Sequence, residues 1–250
     1  MARTLTAREI QMLTSTATRF RIEGDLADIQ PFGSGHINDT YLCSYKCGNT
    51  ESQWVLQRVN HHVFRQPHLV MENIGRVTRH ICCKVEAAGG DPDRAVMQFV
   101  PTSQGGLLYE RHDGTFWRVS KLIAGTQTFD EPDSPERVYA AAHAFGRFQA
   151  LLADLDGGRL HEIIPGFHDT RSRFDALTAA AGADSCNRAG EARAEIAFAE
   201  ARADRTAKLR DMHGAGELPE RVTHNDTKLN NVLFDQATGE ALCVIDLDTV

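Results

Sequence analysis

Residues 221–250 read RVTHNDTKLNNVLFDQATGEALCVIDLDTV. His224, Asn225, Asp226, Lys228, Asn230 and Asn231 crowd into one polar run, followed at once by the apolar triplet Val232, Leu233 and Phe234. A second apolar run, Ala241 to Ile245, comes after Asp-Gln-Ala-Thr-Gly-Glu, which has the composition of a turn. The stretch therefore reads as a polar loop, a strand, a tight turn and a second strand that returns Asp246 toward the loop.

Asn and Asp are turn formers in their own right, because their side chains bond the nearby backbone. The spacing here asks for more. Asp226 is followed five positions later by Asn231, and Asp246 closes the second strand. Phosphoryl transfer needs a carboxylate to accept the proton of an attacking hydroxyl, and hard oxygen ligands to hold Mg²⁺ against the phosphates of ATP. Asp226 suits the first role, and Asn231 and Asp246 the second. His224 suits a brace for the loop.

The bulk of the chain sets bounds. Of 250 residues, 42% are hydrophobic, enough to build a substantial core, and the formal net charge is −7. That sign argues against a nucleic-acid backbone or an anionic membrane as the main partner. No segment reads as a signal peptide or a transmembrane span, so a cytoplasmic protein is expected. The six cysteines, at 43, 47, 82, 83, 186 and 243, form no Cys-x-x-Cys pair and join no histidines at zinc spacing. Reduced thiols are expected, without disulfide or metal.

The spacing predicts an amphipathic helix over Thr6 to Arg21, then a strand, a glycine-containing turn and a strand across IQPFGSGHINDTYLCSY. A third strand is expected at Gln53 to Asn60. PHLVMENIGRVTRHICCKVEAAG has helical spacing, with Leu69, Ile74, Val77 and Ile81 on one face. AVMQFV and FWRVSKLI read as two more strands, giving a β-β-β-α-β-β first half. Beyond Ile123 the chain turns helical: a helix from Ser134 (cap) and Pro135, a shorter one near Thr170, and a long one from Glu191 to His213. The domain boundary is expected near Ala124-Gly125.

The quoted stretch resembles the catalytic and metal-binding segment of the aminoglycoside-phosphotransferase-like kinases, distant relatives of protein kinases. HNDTKLNNVLF with CVIDLDTV is most similar to the N-acetylhexosamine 1-kinase branch. FGSGHINDTY, VLQRVN, LVMENIGRVT, FWRVSKLI, AFGRFQALL and IPGFHDT look like further segments of that branch, in the same order. The resemblance implies an α+β, protein-kinase-like fold. Residues 1–124 would form a nucleotide-binding lobe, its sheet carrying one helix and preceded by a leading helix over 1–22. Residues 125–250 would form a mainly helical lobe with the catalytic loop and a short hairpin. It also implies ATP and Mg²⁺ as cofactors, and a small molecule, such as an amino sugar phosphorylated at its anomeric hydroxyl, as partner. Oligomeric state stays open.

By the same resemblance Asp226 is the catalytic base, and Asn231 and Asp246 are metal ligands. Asp248 either binds a second ion or fixes the neighbouring loop. Gly33, Ser34 and Gly35 match the turn over the ATP phosphates, although the usual third glycine is replaced by Asn38. The third strand departs from the kinase pattern: it has Gln57 and Arg58 where a lysine is expected. Arg58 is the candidate cation, with Glu72 on the next helix as its partner, but alternation lets only one of Gln57 and Arg58 face the nucleotide. Lys121 to Ala124 is the expected hinge against the adenine, with Ile123 packing on it. His36, Asn38, Asp39, His168 and Asp169 are the polar candidates for the sugar pocket.

Two alternatives accompany this reading. One keeps the reaction and changes the acceptor to an aminoglycoside, choline or homoserine. The other is a nucleotide-binding remnant without turnover. The resemblance further implies more chain after Val250, so a C-terminally truncated kinase is expected. A protein kinase is disfavoured, since the sequence has His-Asn-Asp and Ile-Asp-Leu-Asp in place of His-Arg-Asp and Asp-Phe-Gly.

Overall fold

Thr6 and Glu9 close a reciprocal cap at the start of helix α1 (Ala7–Ala17). The Thr6 N–H donates to the Glu9 carboxylate at 2.8 Å, and the Glu9 N–H donates to Thr6 Oγ1 at 3.3 Å. The computed structural model describes residues 4–33, 35 and 37–250. Leu13 and Ala17 of α1 join Phe20, Tyr41, Cys43, Tyr45, Leu56, Trp117 and Val119 in one buried cluster. That cluster covers one face of a five-stranded antiparallel sheet of order β1-β2-β3-β5-β4. Its strands are β1 (Asp25–Pro31), β2 (Asp39–Cys47), β3 (Thr50–Val59), β4 (Tyr109–Glu110) and β5 (Phe116–Lys121). The β2–β3 hairpin closes on Gly48 at φ +61°, a left-handed turn position that glycine occupies without strain.

Helix α2 (Pro67–Ala87) buries Val70, Met71, Ile74, Val77, Ile81 and Val85 along one stripe. The expected face is thus present, with Val70 buried and Leu69 only half-buried. Its buried Asn73 accepts from the His161 N–H at 2.9 Å and donates to the carbonyls of His161 and Val250, both at 2.9 Å. A short helix α3 (Pro92–Ala95) follows. The strand expected at AVMQFV is not formed. Residues 98–100 run antiparallel beside β5, through Lys121 N–H to Gln98 O and Val100 N–H to Val119 O, both at 2.8 Å, but only as a single bridge. Pro101, which lacks the N–H needed to extend a ladder, ends the pairing.

A second, three-stranded antiparallel sheet joins β6 (Thr126–Gln127), β7 (Val232–Asp235) and β8 (Ala241–Val244). Helix α4 (Pro135–Leu151) packs Ala141 and Phe145 against Val232 and Phe234 of β7. Ser134 caps it as expected, its hydroxyl accepting from the Arg137 N–H at 3.2 Å.

The described residues up to Ile163, together with Val222–Val250, form one compact unit, and Ile164–Arg221 form a second. The boundary expected at Ala124-Gly125 falls inside the first unit. The second unit holds α5 (Thr170–Ala183), α6 (Arg193–Glu200), a 3₁₀ turn (Ala203–Arg205) and α7 (Lys208–Gly214). The single long helix expected over 191–213 is therefore broken. Neither α6 nor α7 buries a residue, so no packed apolar stripe enforces one continuous helix. All six cysteines are free, and burial pushes the Cys43 and Cys243 thiols up to about 12. Among the described residues no helix is long and apolar enough to cross a membrane.

Candidate active site

The polar loop is organised around His224, which is fully buried. Its Nε2 lies 2.7 Å from the Ile245 carbonyl, and its Nδ1 accepts from the Asp226 N–H at 3.2 Å. Those two bonds fix a neutral ring that donates at Nε2 and accepts at Nδ1. Phe145 and Phe148 of α4 present their rings edge-on at 5.3 and 5.9 Å. Burial lowers the imidazole below its ordinary value, more than the Ile245 carbonyl raises it. His224 is thus the brace that the sequence suggests, tying the loop to the end of β8.

The same loop is stitched to the last residues. Asn225 sits at φ +63° and donates to the Thr249 carbonyl at 2.7 Å, while the Thr249 hydroxyl donates to the His224 carbonyl at 2.7 Å. Asn tolerates the left-handed region better than other non-glycine residues.

The histidine predicts a pH response. In the unfolded chain it titrates near 6.5, and in the folded protein below that. As pH falls through 6.5, the unfolded chain takes up a proton that the folded chain refuses, so this group withdraws stability on the acid side and contributes nothing above it. Thermal melts between about pH 5 and 8 should show a smaller acid-side fall in Tm for His224→Gln than for the parent. Equal slopes would remove His224 as the source.

Asp226 and Asn231 face each other across the loop. The Asn231 amide donates to the Asp226 carboxylate at 3.0 Å and to its backbone carbonyl at 2.8 Å, and Lys228 Nζ lies 3.0 Å from the same carboxylate. Burial pushes the Asp226 carboxyl up, but the hydrogen bonds from Lys228 and Asn231 and the Lys228 charge outweigh it and hold it below the ordinary carboxylate range. Asn231 is buried, and among the described residues no donor reaches its Oδ1. Its backbone carbonyl accepts from the Ile245 N–H at 2.9 Å, which brings the residue before Asp246 alongside it.

Asp246 takes the left-handed conformation at φ +61°. Burial, and then the negative charge of Asp248, push its carboxyl up to about 6, against the opposing pull of Arg118 and Lys228. A half-buried carboxylate with other carboxylates near it is a place where a cation would be welcome. Among the described residues no three His, Cys, Asp or Glu side chains converge to hold a metal by themselves.

Asp248, read from sequence as either a second-ion ligand or a residue that fixes the neighbouring loop, has protein partners on both carboxylate oxygens. Its buried carboxylate forms a two-pronged ion pair with Arg118 of β5, through Nη1 to Oδ1 and through Nη2 to Oδ2 at 3.1 Å. Asn38 donates to Oδ2 as well, at 2.7 Å. Arg118 is 2% exposed and also donates from Nε and Nη2 to Gln57 Oε1, at 3.1 and 3.0 Å. Gln57 and Arg118 are direct cross-strand partners on β3 and β5, and Gln57 continues the row by donating to Thr40 on β2 at 3.1 Å.

Several expected site residues have partners of their own. Arg58 is exposed, lies on the opposite face of β3 from Gln57, and pairs with its cross-strand partner Asp39 at 2.5 Å. Neither joins the Asp226 cluster. Glu72 Oε2 lies 3.1 Å from His161 Nε2, and among the described residues no arginine pairs with it. Asn38 is engaged by Asp248 and by the Asn60 N–H, which donates to its Oδ1 at 2.9 Å. Asp169 caps α5, accepting from the Ser172 N–H at 3.0 Å, and His168 stacks at a tilt on Phe167; both lie in the second unit. Gly33 has φ +78°, so its glycine is required by the backbone, while Ser34 and His36 lie outside the described residues. Ile123 is buried, and its carbonyl accepts from the Thr126 hydroxyl at 2.7 Å. The residue that sequence reasoning missed is Arg118; FWRVSKLI shows it as one cation in an apolar strand, a cue that it needs a buried partner.

The model of the phosphotransferase enzyme family matches residues 28–250. Among solved structures, spectinomycin phosphotransferase in complex with ADP and spectinomycin aligns with a TM-score of 0.54 at 12% identity, over 99% of this chain and 70% of that one. An aminoglycoside phosphotransferase from Alicyclobacillus acidocaldarius subsp. acidocaldarius aligns with a TM-score of 0.52 at 16% identity, over 99% and 67%. At these identities the likeness is one of fold.

Proposed function

The chain belongs to the phosphotransferase enzyme family, and from that premise we propose that it transfers the terminal phosphoryl group of ATP to a hydroxyl of a small molecule. The observation that carries the reading is that Asp226 and Asn231 are bonded to each other and that the residue before Asp246 is tied to the same loop through the His224–Ile245 and Asn231–Ile245 bonds. Asp226 stays ionised at neutral pH and accepts the hydroxyl proton as the new bond to phosphorus forms. Asn231 Oδ1 and the Asp246 carboxylate would hold Mg²⁺, which supplies charge neutralisation at the phosphates. Two protein oxygens suffice because Mg²⁺ takes its remaining ligands from phosphate and water.

The nucleotide is assigned to the sheet side, with the Gly33–Gly35 turn over the phosphates and the adenine against Lys121 to Ala124. There the carbonyls of Ile123 and Ala124 are taken by Thr126 and Arg94, and the N–H groups of Lys121 and Leu122 by the carbonyls of Gln98 and Gln53, so the N–H groups of Ile123 and Ala124 are the ones to meet the base. In these terms residues 1–124 serve the nucleotide and 125–250 the acceptor.

For the acceptor we favour an N-acetylhexosamine at its anomeric hydroxyl, a choice that rests on the sequence resemblance. A second reading, an aminoglycoside acceptor, is favoured by the fold shared with a spectinomycin phosphotransferase. ADP release from Mg-ATP should be measured in parallel with N-acetylglucosamine, N-acetylgalactosamine, spectinomycin, kanamycin, choline and homoserine, with Asp226→Asn as control. Turnover on an N-acetylhexosamine alone supports the first reading, and on an aminoglycoside the second. Silence on all six while Mg-ATP still raises Tm would leave a nucleotide-binding protein without this activity.

A further inference from the structure

A kinase sheet ordinarily sets a lysine on β3, paired with a glutamate on the next helix. Here β3 carries Gln57 and Arg58 and no lysine, and the helix glutamate, Glu72, lies 3.1 Å from His161 Nε2. On the face that carries Gln57, the charge stands one strand over. Arg118 on β5 stands beside Gln57 in register, on the same face, and is buried. All five of its N–H groups have partners: Gln57 takes Nε and Nη2, Asp248 takes Nη1 and Nη2, and Met71 Sδ lies 3.7 Å from Nη1. The Phe99 ring covers the guanidinium at 5.6 Å. A guanidinium so fully engaged has no donor to spare for a phosphate, and holds protein to protein.

What it holds is the segment after β8. Asp248 lies two residues beyond Asp246, in the 3₁₀ turn Leu247–Thr249 that Asp246 enters at a left-handed φ. The other claim on the Asp248 carboxylate comes from Asn38, three residues past Gly35 at the end of the glycine turn. One carboxylate thus joins the glycine turn, the sheet and the metal-facing segment.

We propose that Arg118 and Asp248 are positioning residues: their ion pair, oriented by Gln57, sets the Asp246 carboxylate for a metal-bound nucleotide and couples it to the glycine turn. The proposal rests on the phosphotransferase reading for the identity of the ligand, but not for the coupling itself. Asp248 on this view is not a ligand of a second ion. Its carboxylate oxygens are committed to Arg118 and Asn38.

The test is a double-mutant cycle on Arg118→Gln and Asp248→Asn, read by calorimetric binding of AMP-PNP with Mg²⁺ and again in EDTA. Each single variant should weaken binding about tenfold with Mg²⁺ and stay within about twofold of the parent in EDTA, and the double variant should be no weaker than the weaker single. Effects that multiply, or a loss equal in EDTA, overturn the proposal. Tighter Mg²⁺-dependent binding in Arg118→Gln would mean that Asp248 is a metal ligand, and overturns it too. Arg118→Lys keeps the charge and loses the two-pronged geometry; it should fall between parent and Arg118→Gln, and serves if the latter does not fold. Amide hydrogen exchange without nucleotide separates the two layers. Faster exchange in both 245–250 and 37–40 in the single variants supports the coupling even if the parent binds no AMP-PNP, a result that would count against the phosphotransferase reading alone. Unchanged exchange in both segments overturns the coupling.

Discussion

Asp226→Asn should lower phosphoryl transfer by roughly two to four orders of magnitude, the range for losing a positioned general base, with the fold intact. Asparagine matches the shape of the side chain and can still accept from the Asn231 amide, which now bonds Asp226 at 3.0 Å. The variant loses the ionic partner of Lys228. That pair is about half exposed, so its contribution to stability is below about 1 kcal/mol. His224, which orders the loop, uses only the Asp226 N–H and keeps it. ADP release on the best acceptor, beside a thermal melt, checks both halves. Activity within tenfold of the parent would mean that another group takes the proton.

Asp246→Asn should abolish turnover and yet make the nucleotide-free protein more stable at neutral pH. The carboxyl stands at about 6 in the folded protein and near 3.8 when unfolded. A group raised on folding favours the folded state while protonated; that favour is fully present below about 3.8 and is lost as pH rises through about 6. At neutral pH the ionised side chain is therefore a net cost, at most about 3 kcal/mol by the usual 1.36 kcal/mol per pH unit and less after partial screening. Asparagine removes the charge and accepts the left-handed backbone that residue 246 needs. The melting temperature should rise by several degrees near pH 7.5 and change little near pH 4, while Mg²⁺ should no longer strengthen nucleotide binding. A lower Tm at pH 7.5 would show that the parent carboxylate is already satisfied without a metal. It would also remove the case for Asp246 as a place where metal is wanted.

Much of this site is local, and so was open to reading. Asp226, Asn231 and the Val232–Phe234 strand are contiguous, and their hairpin partner returns within a dozen residues, so composition and spacing suffice. The sheet side of the site depends on which strands lie together. Alternation shows that Gln57 and Arg58 point to opposite faces, but only the register places Gln57 beside Arg118 and Arg58 beside Asp39. Asn38 and Asp39 look equally polar in sequence; 210 residues separate Asn38 from the Asp248 that engages it, and no local pattern encodes such a pair. The helix ends were better marked, since caps such as Thr6 and Ser134 act within three residues. The break near 201–207 carried no such mark, because Ala-rich polar sequence favours helix everywhere and tertiary packing decides where it persists.

The placement of the cation bears on how such a site can be tagged. A nucleotide bearing an amine-reactive acyl phosphate labels a kinase through an ammonium on β3, and β3 here offers an amide and a guanidinium, Gln57 and Arg58, which such reagents leave alone. The ammonium beside the Asp226 carboxylate is Lys228, half exposed on the loop itself. Lys121, in the segment proposed to meet the adenine, is the other ammonium there, paired with Asp93 at 2.5 Å; acylation should fall on one of these two lysines, and profiling by lysine capture would find this chain through a peptide other than β3.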